Sequence, residues 1–182
     1  MITYIVIAII VIIMFYALIT YNSFVKLNNS LKEAFATMDV YLKKRWDLIP
    51  NLVETVKGYA SHEEETLKEV INLRNSSYDT MTSNDKIKTN QTLSKDINKI
   101  MLLAESYPDL KASVNFQDLS KELTKVEEDI ASARKYYNAI TEKFNNKVEM
   151  FPSNIFAKLY GYKHQNMFQI EEAERENVKV NF

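Results

Sequence analysis

The chain has 182 residues, a net charge of −1, 46 % hydrophobic content, Gly 2, Pro 3 and Cys 0. That charge balance gives no footing for nucleic-acid binding, and so few turn-forming residues favour an all-α fold over a β-rich one. The lack of cysteine removes disulfides, thiolate metal sites and cysteine nucleophiles together, and the length suits one domain plus an anchor.

Residues Ile2 to Thr20 are almost wholly apolar, and no charged side chain occurs before Lys26. A run of about 20 such residues crosses the hydrocarbon core of a bilayer. Tyr4, Tyr16 and Tyr21 lie near its ends, as interfacial aromatics do. A cleaved signal peptide would carry a basic start and a small-residue cleavage site, and neither is present. Residues 1–21 therefore read as a retained transmembrane anchor. Lys26, Lys32, Lys43, Lys44 and Arg45 follow it against Glu33 and Asp39. The positive-inside rule then predicts a very short outer N-terminus and a cytoplasmic C-terminal domain.

From Tyr21 to Glu63 the apolar residues Phe24, Leu27, Leu31, Phe35, Met38, Leu42, Ile49, Leu52, Val56 and Tyr59 recur at helical spacing. No breaker separates Tyr21 from Ile49, so anchor and first bundle helix are expected to form one rod of about 70 Å at 1.5 Å per residue. Pro50 is read as a kink, because the pattern resumes beyond it. Ser61 with Glu64 resembles a capping box that would start a second helix over His62–Met81. A polar loop follows, then a third helix over Asp85–Tyr107, closed by Pro108. Its stretch from Thr89 to Lys99 is thinly apolar. The fourth helix has the cleanest repeat, Phe116, Leu119, Leu123, Val126, Ile130, Ala133, Tyr137, Ile140, Phe144 and Val148, with charged flanks. After Phe151-Pro152 a short helix capped by Ser153 holds Ile155, Phe156, Leu159 and Tyr160. Gly161, Tyr162, Phe168, Ile170, an acidic patch and a strand-like ending at residues 178–182 complete the chain. The predicted architecture is an antiparallel four-helix bundle over residues 22–151, on an N-terminal transmembrane helix, with a C-terminal tail over 152–182.

Several stretches carry a resemblance. Leu42 to Ala60 (LKKRWDLIPNLVETVKGYA), Ala104 to Ala112 (AESYPDLKA), Ala133 to Asn138 (ARKYYN) and Phe151 to Asn154 (FPSN) are similar, in order, to the signature of the LemA family. The resemblance covers essentially the whole chain from Tyr21. It implies a single N-terminal span, a cytoplasmic-side antiparallel helical bundle and no established activity. It also implies work in membrane organisation or proteostasis, since a related branch occurs in magnetosome membranes and family genes often neighbour a membrane zinc metalloprotease. At Trp46 the family usually has His, which takes support away from any metal or acid–base role there.

The residues themselves offer little chemistry. His62 stands beside Glu63, Glu64 and Glu65, but a zinc helix needs two histidines one turn apart and a third ligand, and His164 is distant in sequence. The acids around His62 suit a helix N-terminus. Two histidines outside any triad motif give no nucleophile with its base, and Gly58 and Gly161 cannot build a phosphate loop. Paired carboxylates among lysines read as solvated faces. Arg45 is different, for it falls on or beside the apolar stripe, where a charge must find a partner. Glu105 or Glu127 can supply one, with Asp47 nearby. The cluster is either a register-fixing pair or a recognition point. In the tail, Ile155, Phe156, Leu159, Tyr160 and Phe168 form either a flap over helix seams near Leu27, Leu31, Ile140 and Phe144 or an interfacial membrane segment. No catalytic, cofactor-binding or metal residue is assigned, and no cofactor. The expected partners are the lipid bilayer, through the N-terminal helix, and a protein: a membrane metalloprotease or a second copy of the chain. The expected function is that of a non-catalytic scaffold or adaptor at the membrane. The alternative is a hydrolase or metal-dependent enzyme using Glu and His groups of the bundle.

Overall fold

A computed structural model of the chain describes residues 1–60, 63, 67–68, 70–72 and 78–168. Every regular element among them is helical. The first, α1, runs from Ile2 to Lys57 through Pro50 without interruption. It stops where Gly58 enters, and Tyr59 and Ala60 turn back to hydrogen-bond the Val56 carbonyl at 3.0 and 2.8 Å. The helix is thus shorter than the apolar pattern predicts. Tyr59, placed on the stripe by spacing, is exposed because the helical phase has ended before it. Elsewhere the stripe holds: Phe24, Leu31, Met38, Leu42, Ile49, Leu52 and Val56 are buried.

Of the expected second helix, residues 67–68 and 70–72 are helical, whereas Tyr78–Thr80 form a single 3-10 turn. Its remainder, with the Ser61–Glu64 capping box, lies outside the described residues. Helix α2 spans Ser83–Glu105. Thr82 caps it, accepting from the Asp85 N–H at 3.3 Å and donating to the Asp85 carboxylate at 2.6 Å. Pro108 does not merely end a helix. It opens a new one, α3 over Pro108–Ala112, since proline at the first helical position loses no needed N–H. Helix α4 spans Val114–Glu149 and buries Phe116, Leu123, Val126, Ile130, Ala133, Tyr137 and Phe144. Helix α5 spans Ser153–Tyr160 and ends at Gly161, whose φ of 75° closes it in the left-handed region. There the Tyr162 N–H reaches back to the Ala157 carbonyl at 2.9 Å, the six-to-one bond of a Schellman motif. The alternating ending at 178–182, with Ile170 and the acidic patch, lies outside the described residues.

The chain divides into two compact units. One comprises Met1–Ala36 and Arg134–Phe182, the other Thr37–Ala133. In the first, Phe24, Phe144 and Ala157 form the core, with Leu27, Val148, Tyr160 and Tyr162 around it. The Phe24 and Phe144 rings meet edge to face at 6.2 Å and Tyr162 stacks on Phe24 at 4.8 Å. In the second, Leu42, Ile49 and Leu52 of α1, Leu93 and Ile100 of α2, Leu110 of α3 and Leu123 and Ile130 of α4 are among the fully buried aliphatics. Full burial of each such side chain is worth roughly 1.5–3 kcal/mol. Between Ile2 and Ile19 none of the large apolar side chains of α1 is buried. Ile10, Phe15 and Leu18 keep more than half their surface exposed, and the helix is long and apolar enough to cross a membrane.

Candidate functional site

The second unit is organised around a buried cation. Arg45 sits on the α1 stripe between Leu42 and Ile49 and is only 2 % exposed. Its guanidinium reaches two other helices. One nitrogen donates to the Ser94 hydroxyl at 2.7 Å and to the Glu127 carboxylate; the other donates to the Asn90 carbonyl and side-chain oxygens, both at 2.8 Å. A rigid planar fork suits this task, since one side chain can serve acceptors in several directions. Asn90 is set in place in turn, its amide donating to the Lys86 carbonyl at 2.9 Å.

A second polar group adjoins the first. Asp39 accepts from Lys86 at 2.7 Å and from the Tyr78 hydroxyl at 2.6 Å, while the Lys86 ammonium lies 4.6 Å from the Tyr78 ring centroid. Trp46 closes over Tyr78, with ring centroids 5.4 Å apart. Burial pushes the Tyr78 phenol above its ordinary value, and the hydrogen bond to Asp39 and that carboxylate's charge add to the shift. Asn90 and Arg45 pull weakly the other way.

Of the acids considered for Arg45, Glu127 meets it and Glu105 does not. Glu105 is exposed and paired with Lys111. It lies 11 residues beyond Ser94 on α2, about 16 Å along the axis at 1.5 Å per residue. Asp47 also faces away from Arg45, because residues two apart on a helix point to different sides. It pairs instead with Lys43 at 2.5 Å, in water.

The tail residues separate in the same manner. Phe168 is buried and Tyr160 and Phe156 are half-buried, but Ile155 and Leu159 are exposed, at 57 % and 76 %. The face of α5 turned inward carries Ser153 and Ala157, one turn apart. The small Ala157 side chain allows the close approach to Phe24 and Phe144 that Ile155 or Leu159 would prevent. Beyond α5 the extended segment is gripped by side chains of α4. Asn138 exchanges two hydrogen bonds with the Phe168 backbone, both 2.8 Å, and Asn145 exchanges two with the Gln165 backbone, both 2.9 Å. The Tyr137 hydroxyl donates to the Asn166 carbonyl at 3.2 Å. Asn138, Asn145, Asn90, Ser94 and the Asp39–Tyr78–Lys86 group all escape a reading by apolar periodicity. The signal for the first two is their seven-residue separation beside the α4 seam.

For chemistry the arrangement offers little. Among the described residues no three His, Asp or Glu side chains converge as a metal site requires. His62 lies outside those residues. His164 is exposed, with its Nε2 3.4 Å from the Glu149 carboxylate. An open groove of about 530 Å³ runs along α2 and α4, with Ile97, Met101, Phe116 and Leu123 in its wall and Glu127 at its edge.

Fold and geometry together define an all-helical protein with one N-terminal helix fit to cross a bilayer and an interior charge held by its own helices. The chain belongs to the LemA family, whose profile matches residues 34–182. It is similar to Protein LemA of Metamycoplasma hominis, at 28 % identity over 86 % of this chain and 72 % of that protein. It is also similar to the magnetosome proteins MamQ 1 and MamQ 2 of Paramagnetospirillum magneticum, each at 21 % identity over 86 % of this chain and 67 % of theirs.

Proposed function

We propose that this chain is a membrane-tethered scaffold that displays a rigid helical bundle and performs no chemistry of its own. The reading is carried by the bare apolar surface of α1 from Ile2 to Phe15, which continues within one helix into packed core. Arg45 supports the non-catalytic half: both of its terminal nitrogens donate to groups of the bundle itself, Ser94, Glu127 and Asn90, so the charge serves packing. In this reading residues 1–21 are the anchor, residues 22–151 an antiparallel four-helix bundle, and residues 152–182 the C-terminal tail, set against the bundle or the membrane surface. Within the first unit, Phe24 faces Phe144 and Phe35 faces Tyr137, so numbers rise along α1 as they fall along α4. The helical residues 67–68 and 70–72 then belong to the second helix of the bundle.

The bundle lies on the cytoplasmic side, as the basic residues from Lys26 onward favour. Its partner is a protein, either a second copy or a membrane protease. Similarity to proteins named for the magnetosome favours a role in organising membrane-bound assemblies. Cross-linking in intact cells tests the scaffold: discrete cross-linked species from the helical domain are expected, and a chain that stays wholly uncross-linked overturns it. Orientation is tested with cysteine in place of Lys88 and a reagent that cannot cross the membrane; labelling of intact cells reverses the assignment. Stoichiometric zinc in untagged protein would replace the scaffold with a metal-dependent enzyme.

A further inference from the structure

Helix α5 packs against the last turn of the apolar segment. The Phe156 and Tyr16 rings lie 5.6 Å apart, the Tyr160 hydroxyl donates to the Ala17 carbonyl at 3.3 Å, and the Tyr160 and Tyr21 rings meet at 5.2 Å. These contacts fix its level. Residues 2–20 would span about 28 Å at 1.5 Å per residue, close to the roughly 30 Å of a bilayer's hydrocarbon core. All of that segment is therefore needed to cross. Ala17 sits three residues before Thr20, about 4.5 Å inside the exit. Interfacial helices bury their apolar faces about 5–10 Å into the headgroup–acyl boundary. An element touching Tyr16, Ala17 and Tyr21 stands at that boundary.

The surface that α5 turns outward fits the same place. Ile155 and Leu159 stand one turn apart on α5 and are 57 % and 76 % exposed, and Phe151, two residues before the helix, is 79 % exposed. Met150 and Met167, to either side in the sequence, are exposed as well, at 63 % and 37 %. Among the described residues beyond Tyr21, half of the exposed large apolar side chains fall in this stretch of fewer than twenty residues. From Met150 to Phe168 the sequence contains Lys158, Lys163 and His164 and no acid, the charge pattern that suits anionic headgroups.

We propose that α5 is a second membrane contact, an interfacial helix whose exposed Ile155 and Leu159, with Phe151 just ahead of it, enter the leaflet from which α1 emerges. The inward face, at Ala157 and Tyr160, holds the helix to α1 and α4, so flap and membrane segment are two faces of one element. The inference rests on the membrane reading of Ile2–Thr20 and goes beyond the scaffold role. It makes the base of α1 rigid at the surface, because the chain meets the bilayer at two places joined by packed aromatics.

The chain's lack of cysteine makes the test direct. Single cysteines at Ile155, Leu159, Ile10 and Leu102 are labelled with a polarity-sensitive fluorophore in the full chain. Each protein is reconstituted in vesicles of phosphatidylcholine and phosphatidylglycerol. Iodide then quenches from water, and lipids with nitroxides high or deep on the acyl chain quench from the interface or from the bilayer centre. The expected result is blue-shifted emission at Ile155 and Leu159, quenched by lipid nitroxide and not by iodide, with Leu102 showing the reverse. Iodide quenching at Leu159 equal to that at Leu102 overturns the proposal. So does shielding from both quenchers, which would mean that protein, such as a second copy, covers Ile155 and Leu159. If the Ile10 label escapes lipid quenching, the membrane reading itself falls; if Ile10 is quenched and Leu159 is not, only the second contact fails.

Discussion

The two units hold polar groups inside in opposite ways. Around Arg45 the device is ionic: one guanidinium gathers a carbonyl, an amide oxygen, a hydroxyl and a carboxylate from two other helices. Around the tail it is neutral: Asn138 and Asn145 each trade a donor and an acceptor with one backbone residue. A fork with five donors suits several side chains at different angles, whereas a planar amide, with one donor side and one acceptor side, suits an extended backbone. The choice of residue follows the shape of what must be held. The two devices also differ in the cost of failure. A buried charge deprived of its partner is far more expensive than a neutral group that water can reach.

The largest effect is therefore expected at Arg45. Replacement by Ala should destabilise the chain by about 3 kcal/mol, near the low end for a broken buried pair, because the freed carboxylate can partly rehydrate. Glu127 is already 38 % exposed. Urea unfolding in mild detergent measures it, and an unchanged midpoint would show that Arg45 holds nothing together. Arg45→Met combined with Glu127→Gln should cost less than the separate losses added, since neither charge is then stranded.

Asn138→Ala and Asn145→Ala come next. Each strips two neutral hydrogen bonds from the tail, and each should cost about 1–2 kcal/mol. Limited proteolysis provides the sharper readout: cleavage near residues 162–168 should accelerate, while Arg45→Ala leaves the early cleavage of that segment unchanged. Uniform acceleration everywhere would mean the two devices are not separate.

Tyr78→Phe should be smaller, about 1 kcal/mol, with a distinct pH signature. The phenol of the unfolded chain titrates near 10 and that of the folded chain above it. The folded state thus retains the proton more strongly. The resulting stability is intact below about pH 10 and is lost as pH climbs from there toward the folded value. Tyr78→Phe should flatten that alkaline decline, and an equally steep decline in the variant would assign it elsewhere. Smallest of all are Glu105→Ala and Asp47→Ala, within about 0.5 kcal/mol in thermal unfolding, since their pairs with Lys111 and Lys43 lie in water.

Much of the helical framework is legible from apolar spacing, because Phe24 to Val56 and Phe116 to Phe144 keep the phase of one helix face. Spacing also places Arg45 on the stripe, where desolvation demands a partner. It does not choose Glu127 over Glu105, because that choice depends on how far along α2 and α4 the acceptors fall. The thin apolar stretch from Thr89 to Lys99 has a physical reason: α2 buries Asn90 there as an acceptor for Arg45. On α4 the three-four rhythm marks Ile140, yet Thr141 and Asn145 are the more buried, because the tail covers a face that hydrophobicity alone leaves blank. Ile155 and Leu159 mislead in the other direction. They are the most apolar residues of α5, and apolarity cannot distinguish a protein core from a bilayer.

The asparagine clips have a consequence for how freely the sequence can drift. They read main chain and ignore side chains, so Gln165 is gripped through groups that almost every residue shares, whereas Phe168 adds a buried ring against Tyr137. Substitution at Gln165 should leave the grip intact for any residue that retains its N–H. Proline alone lacks that hydrogen, so Gln165→Pro should unfasten what Gln165→Ala does not. Part of the information that keeps the tail in place is thus written one helix away, in two amides of α4, and at Gln165 the side chain is left open to variation for other purposes.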